Sequence, residues 1–419
     1  MRDETIMELE SKGCFDFFWK EANSDKDSSG YGLIRDRAPG RPSMASIASV
    51  GYGLTAIVIG VERKWVTYVQ AYERALGTMK TFLYNAEHIN GFFYHFLDMK
   101  SAKRYRKCEV SVIDTSILIC GVLTAGEYFG GEVNELANKI YERVNWNWYV
   151  DHDRNLYYMG HHPENGHFGE WDFYAEQFMM YFLGAASPTY PINPELFYIF
   201  TRHHNSYGDY PEFIHTRSGS LFTYQFSHAW YNFRNTLDRD GNDWWENSVL
   251  ATKTNRQFCI DNSDKFRTFG PYSWGLTACD GPKGYCGGYG TPPCQNNNTG
   301  YYADGTVPPC GPAGSIVFTP DEGIDALNYL YDNFPKLWGK YGFKDAYNLD
   351  VTPSWFAKDC IGIDKGITLL MIENYRTGLV WDIFMKNKYA TLGMEKCEIH
   401  KVVDEETKKQ VAANIMKEE

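Results

Sequence analysis

Three stretches of the chain place carboxylates among aromatic rings, glycine and histidine where a loop gives way to an apolar run. The first is Cys108-Glu109-Val110-Ser111-Val112-Ile113-Asp114-Thr115. The second runs from Gly166 through Glu170, Trp171 and Asp172 to Glu176 and Gln177. The third is Ile361-Gly362-Ile363-Asp364-Lys365-Gly366. Two carboxyl groups facing one another, one kept protonated by its surroundings and one ionised, are the means of general acid–base cleavage. Each acid also has a plainer reading. Ser111 and Asp114 fit an N-cap and first-turn acid, stabilised by free N–H groups and the helix dipole, and Asp364 is open to the same reading. Asp172 and Glu176 are four residues apart, a spacing at which two like charges weaken a helix unless something else requires them.

The elements that must position these residues are mostly helical. Apolar periodicity predicts helices near 4–22, 43–63, 67–85, 113–129, 132–149, 171–184, 193–204, 242–258, 321–334 and 366–386. Strand-like alternation is sparse. Long Gly- and aromatic-rich loops separate the helices at 23–42, 86–110, 150–170, 205–241 and 259–319, and loops of this length are usually functional. Helix pairs with loops gathered at one end predict an all-α fold, an α/α toroid. Residues 1–390 read as one domain and 391–419, containing EKCEIHK and EETKKQ, as a charged terminal helix or frayed end. Polar residues Glu373, Asn374 and Arg376 sit among apolar neighbours and require buried partners, expected to be one another.

Composition narrows the chemistry. The 419 residues carry 41 Lys+Arg against 53 Asp+Glu, a net charge of −12, which argues against nucleic acid, an anionic membrane or a polyanion as partner. No uninterrupted apolar run approaches 18 residues. Aromatic residues make up 16% of the chain, many beside Gly, Asn, Asp and His. A large aromatic core would account for them, and so would a groove in which ring faces stack on sugars while polar neighbours take the hydroxyls. Nucleotide-loop, nucleophile-elbow and zinc-protease motifs are absent, so no cofactor or metal is expected. Asp238–Asp243 resembles a calcium loop only faintly, without the EF-hand spacing. Of ten Cys, five (Cys259, Cys279, Cys286, Cys294 and Cys310) crowd one segment without a C-x-x-C pair. Reduced thiols are expected, or one or two disulfides if the protein is exported. The N-terminus has no signal-peptide pattern, giving a cytoplasmic expectation, or a periplasmic or secreted one if a targeting segment has been removed.

The chain resembles the glucoamylase-like domain family, which includes the endo-β-1,2-glucanases of glycoside hydrolase family 144. The resemblance covers about residues 10–390. It rests on ASIASVGYGLT (45–55), EVSVIDT (109–115), WDFYAEQFMMYFLGAASPTYP (171–191), FSHAWYNFR (226–234), WGLTACD (274–280), DGTVP (304–308), SIVFTP (315–320), KYGFKDAYN (340–348), GIDKG (362–366) and MIENYRTGL (371–379). It implies an (α/α)6 barrel with an open cleft and inverting hydrolysis of β-1,2-glucan to short, sophorose-type oligosaccharides, the substrate being a neutral glucan. Glu176 matches the acidic position of the family motif, and the aromatic side chains around it would keep a carboxyl protonated. Asp364 matches the carboxylate of the late I-D-x-G motif and is the expected base. Glu109, Asp114, Glu170 and Asp172 are further acidic candidates, and His228, Trp230, Arg234, Trp274, Asp280, Tyr341 and Asn374 are expected in the cleft. The segment Cys279 to Cys310 is richer in Cys than the family pattern and is expected to border the cleft. Competing readings are a transglycosylase or a glycosidase of another linkage on the same fold, a lyase, which the net negative charge disfavours, and a non-catalytic glucan-binding protein.

Overall fold

The computed structural model describes residues 2–402. Its helices are α1 (Arg2–Lys20), α2 (Ile47–Glu62), α3 (Tyr68–Lys80), α4 (Val112–Phe129), α5 (Gly131–Glu142), α6 (Phe178–Ala186), α7 (Phe222–Gln225), α8 (Trp244–Asp261), α9 (Gln295–Asn298), α10 (Cys310–Gly314), α11 (Pro320–Asn333), α12 (Gly362–Arg376), α13 (Leu379–Phe384) and α14 (Lys388–Lys396). They form an (α/α)6 toroid. The inner ring is α2, α4, α6, α7, α10 and α12, and α3, α5, α14, α8, α11 and α1 back it from outside. The N-terminal helix α1 supplies the outer partner of α12, the last inner helix, so the two ends of the fold meet.

Sequence assigns the rings. Nearly every position of α2, α4 and α6 is apolar or small, and all of α6 is buried. Outer helices α3, α5 and α11 bury one stripe and expose the rest, as amphipathic helices on a core do. Helix α4 is long and apolar enough to cross a bilayer, but 83% of it is buried among its neighbours. Glycine sets the inner spacing. A Cβ on Gly121 would lie 1.9 Å from the carbonyl oxygen of Gly51, so α2 and α4 touch backbone to backbone. On the other side of α2, Gly366 of α12 leaves room for the Tyr52 ring.

Several expectations change. Residues 193–204 form only a short 3-10 turn, Pro194–Tyr198, stopped where aromatic rings pack around the Arg202 guanidinium. Residues 150–170 hold a sheet rather than a loop: Leu156–His162 pairs with Val150–Asp151, Val110–Ser111 and Gly166–Glu170. Its alternation is masked in the sequence by Gly and His. The domain does not stop at 390. Helix α14 packs on α6, Gly393 against the Phe182 backbone, and His400–Lys401 pairs with Thr236–Leu237. The EETKKQ tail lies outside the described residues.

The polar residues of α12 find partners elsewhere than in one another. Glu373 is paired with Arg63 at 2.8 Å, Asn374 donates to Ala229 O, and Arg376 reaches Glu8 and Glu4. Lys365 and Glu10 form a buried ion pair at 2.7 Å joining α12 to α1. Asp238 is a turn residue: its carboxylate accepts from the Asp240 and Asn242 N–H groups and from the Trp244 indole.

The α2–α4 contact leaves no room for a methyl group. Gly121→Ala is expected to lower stability by about 1–3 kcal/mol, the usual cost of overpacking, read as an earlier urea midpoint. An unchanged midpoint would contradict backbone-to-backbone packing.

Candidate active site

All six inner helices begin at the same end of the toroid, around a cleft of about 400 Å³. Ser46, the N-cap of α2, lines it, as do Ile113, Asp114 and Ile117 of α4, Glu176 just before α6, Phe222 of α7, and Ile363 and Asp364 of α12. Cys310, the first residue of α10, lies directly behind Asp364. Across the opening stands Tyr285, 55% exposed, on the hairpin that pairs Cys279–Gly281 with Gly284–Cys286. The Cys-rich segment therefore borders the cleft. All ten cysteines are free thiols.

Glu176 is not on a helix face with Asp172. Residues 171–177 run irregularly, with Phe173 bridged to Thr201. The Gln177 side chain ties the turn, accepting from Ala175 N at 2.6 Å and donating to Phe173 O at 2.9 Å. Ser227 donates to the Glu176 carbonyl at 2.7 Å. These bonds turn Glu176 inward, leaving it 8% exposed, and Asp172 outward to Arg217 at 2.5 Å. Burial raises the Glu176 carboxyl to about 7, a backbone N–H opposes the shift, and the Asp114 charge adds to it. At neutral pH it can give a proton.

Asp364 occupies the first turn of α12 and is 8% exposed. Burial raises it to about 6; hydrogen bonding from Asp345 and Cys310 opposes this, and Asp280 and Asp36 push it up. It is not a simple first-turn acid: its Oδ2 is buried with no donor, and desolvation is the largest influence on it. Asp345 lies beside it, sealed at 4% exposure, and accepts the Asp280 N–H at 2.6 Å. Asp345 belongs to KYGFKDAYN, where Tyr341 looked the better candidate. The signal was present, an acid between aromatic residues, but nothing in the sequence joins it to Asp364.

Two charge clusters hold the rest. Ser111 accepts from Asp114 N and donates to its carboxylate at 2.5 Å, so capping and cleft placement coexist in Asp114. His95 bridges Glu109 at 2.7 Å and Asp114 at 3.5 Å. Burial pulls the imidazole down, but Asp114 and Glu109 override it and hold it at about 9, a cation. Arg37 makes a fork with both Asp280 oxygens, at 3.1 and 2.9 Å, and bonds Asp36 at 3.2 Å. Glu109 and Asp280 thus act through His95 and Arg37. Those two residues, Asp36 and Tyr285 were not anticipated, because they lie in loops whose tertiary partners only folding supplies.

Other expected cleft residues are elsewhere. Trp230 is fully buried, tilted against the Tyr52 ring at 4.8 Å, with its indole N–H on Thr55 at 3.1 Å. His228 is sealed, bonded to Ser248 at 3.0 Å, and burial lowers it to about 3. Asn374 lies ten residues beyond Asp364 on α12, about 15 Å along the helix, toward the opposite end of the toroid. It holds Ala229 and Trp381 there. Arg234 lies exposed over the Trp381 ring at 4.3 Å. Trp274 is fully buried, and Tyr341 packs edge-on against Phe17 of α1, its hydroxyl on Glu21. Glu170 pairs with Arg154 on the 156–170 sheet. Each satisfies the packing or pairing needs of the toroid, away from the cleft wall.

The glycoamylase family model matches residues 169–388, more than half of the chain and including Glu176, Asp345 and Asp364. The chain belongs to the glycoamylase (glucoamylase) family. Among characterised glycoamylase relatives, an exo β-1,2-glucooligosaccharide sophorohydrolase (non-reducing end) of Parabacteroides distasonis is 28% identical across 95% of this chain. The chain spans 58% of that relative's length. An endo-β-1,2-glucanase from Chitinophaga pinensis, in complex with sophorotriose and glucose, superposes with a TM-score of 0.83 at 27% identity, covering 95% of this chain and 98% of the other. A β-1,2-glucanase structure from Parabacteroides distasonis gives a TM-score of 0.84 at 27% identity, covering 95% and 60%.

In this glycoamylase chain burial raises Asp364 to about 6 and Glu176 to about 7, so a reaction that needs the first ionised and the second protonated has a narrow pH window. Turnover that uses both is expected to be bell-shaped, falling below about pH 6 and above about pH 7. Asp114→Asn removes a charge that raises Glu176, so the alkaline limb should move to lower pH. A pH profile of kcat/KM checks both, and an unmoved alkaline limb in Asp114→Asn would contradict the coupling.

Proposed function

We propose that the protein is a glycoside hydrolase that cleaves β-1,2-glucan to short, sophorose-type oligosaccharides with inversion, Glu176 acting as acid and Asp364 as base. The observation that carries this reading is one cleft holding two carboxyls, Glu176 and Asp364, each 8% exposed and each raised above the ordinary carboxylate range by burial. Water attacks the anomeric carbon while Asp364 takes its proton. The glycosidic C–O bond breaks as Glu176 protonates the leaving oxygen. Solvent then restores both protonation states.

Aromatic and aliphatic walls suit this substrate. Tyr285, Phe96, Phe222 and Phe226 offer ring faces to glucose, while Asp36, Arg37 and His95 offer partners for hydroxyls. A side cavity of about 330 Å³ shares Arg41 and Phe96 with the cleft and continues to Tyr105 and Arg106, lengthening the groove beyond one or two sugars. The relatives named above are β-1,2-glucan enzymes, which supports the linkage.

The test is incubation with linear β-1,2-glucan and a panel of other glucans, with products resolved by chromatography and their first-formed anomer by NMR. Short β-1,2-oligosaccharides released as the α-anomer are expected. Cleavage confined to starch or cellulose, an unsaturated product, or longer transfer products alone would contradict the reading. Glu176→Gln and Asp364→Asn should each lower turnover by about 10²–10⁴-fold with the melting temperature nearly unchanged. Normal turnover with lowered stability in Asp364→Asn would return that residue to a capping role.

A further inference from the structure

The proposed mechanism leaves unused a buried carboxyl that lies beside Asp364. Asp345 contributes an oxygen that accepts from Asp280 N, and its Oδ1 is buried with no donor. Asp364 likewise buries one oxygen, Oδ2, with no donor. The two residues share the wall of a narrow cavity of about 10 Å³ with Cys310, and their carboxyls lie within hydrogen-bonding reach of each other. Two carboxylates in such contact, out of water, cannot both be ionised, and one proton between them supplies the missing bond to both.

We propose that Asp345 is a positioning residue that stays protonated and donates a hydrogen bond to Asp364, keeping that carboxylate ionised and fixed toward the cleft. This rests on the reading of Asp364 as the base. The proton belongs on Asp345 because its carboxyl is the more sealed, at 4% against 8% exposure, and feels the charges of two others, Asp364 and Asp280. Asp364 keeps access to the cleft. Burial first, then Asp364 and Asp280, push Asp345 far above the ordinary carboxylate range.

The other groups around Asp364 do not take over this role. Asp36 and Arg37 face it from the loop before α2, Tyr52 from α2, and Cys279, Asp280 and Tyr285 from the hairpin. Arg37 is engaged by Asp36 and Asp280, and Lys365 on the same helix by Glu10. Cys310 offers a thiol, a weak donor. Asp345 is the strong neutral donor beside the base.

The decisive pair is Asp345→Asn and Asp345→Ala. Asparagine keeps an acceptor for Asp280 N and a neutral donor for Asp364. Asp345→Asn should retain kcat/KM on linear β-1,2-glucan within a few-fold, with the acid limb unmoved. Asp345→Ala removes the donor, so Asp364 titrates higher. The acid limb should shift to higher pH and kcat should fall at least tenfold. An acid limb shifted to lower pH in Asp345→Asn would show that Asp345 is charged in the wild type and would overturn the proposal. Equal losses in both variants with unmoved limbs would reduce Asp345 to a packing role and overturn it as well.

Infrared difference spectroscopy of the wild type against Asp345→Asn reads the proton without substrate and without Asp345→Ala folding. A protonated-carboxyl band persisting at pH 8 and missing in Asp345→Asn is expected, and its absence from the wild type refutes the shared proton. If the wild type leaves β-1,2-glucan intact, the functional reading fails, and the infrared result still decides the proton.

Discussion

The cleft depends on packing several carboxyl groups against one another where water is scarce. A free carboxylate in water is a poor proton donor at neutral pH, and two in contact repel. Placing Glu176 and Asp364 where inner helices start, with Asp345 on the loop behind Asp364, lets each be tuned by its own degree of burial and its own neighbours. Glu176 is driven up by burial, with the Asp114 charge adding to the rise. Glu109 shares the His95 cation and is held below the ordinary range, against the pull of burial. The proposed acid and base are separated by environment rather than by residue type.

The toroid supplies that environment through close approach. Inner helices meet backbone to backbone at Gly51 and Gly121, and the buried Lys365–Glu10 pair locks α12 to α1 one residue beyond Asp364. These contacts fix where α4 and α12 begin, and so where Asp114 and Asp364 stand. Ser111 shows the economy of the arrangement, since its hydroxyl both caps α4 and orients the Asp114 carboxylate. Loops then complete the rim, the Cys-rich hairpin contributing Tyr285.

Much of this was legible in the sequence. Apolar periodicity located most of the long helices, and acids at loop-to-helix junctions pointed to Asp114, Glu176 and Asp364. What failed was the inference from residue type to place. Trp230, Trp274 and His228 have the chemistry of a sugar site yet serve as buried packing, because a toroid interior also needs large rings to fill it; Trp230 and His228 find polar partners there, whereas the Trp274 indole N–H finds none. Asn374 shares a helix with Asp364, but ten residues carry it to the far end. Glu170 and Asp172 neighbour Glu176 in sequence, but the irregular turn at 171–177 sends them outward. Conversely, Asp345, Arg37 and His95 gain their meaning from partners 14 to 243 positions away, which no local pattern records.

Leaving-group dependence tests the division of labour between Glu176 and Asp364 most directly. A β-sophoroside with a dinitrophenyl leaving group departs without protonation, whereas the natural glucan linkage needs an acid. Comparing kcat/KM on both substrates, Glu176→Gln should lose about 10²–10⁴-fold on the glucan and far less on the dinitrophenyl glycoside. Asp364→Asn should lose activity on both. Equal losses of Glu176→Gln on the two substrates would contradict its role as the proton donor.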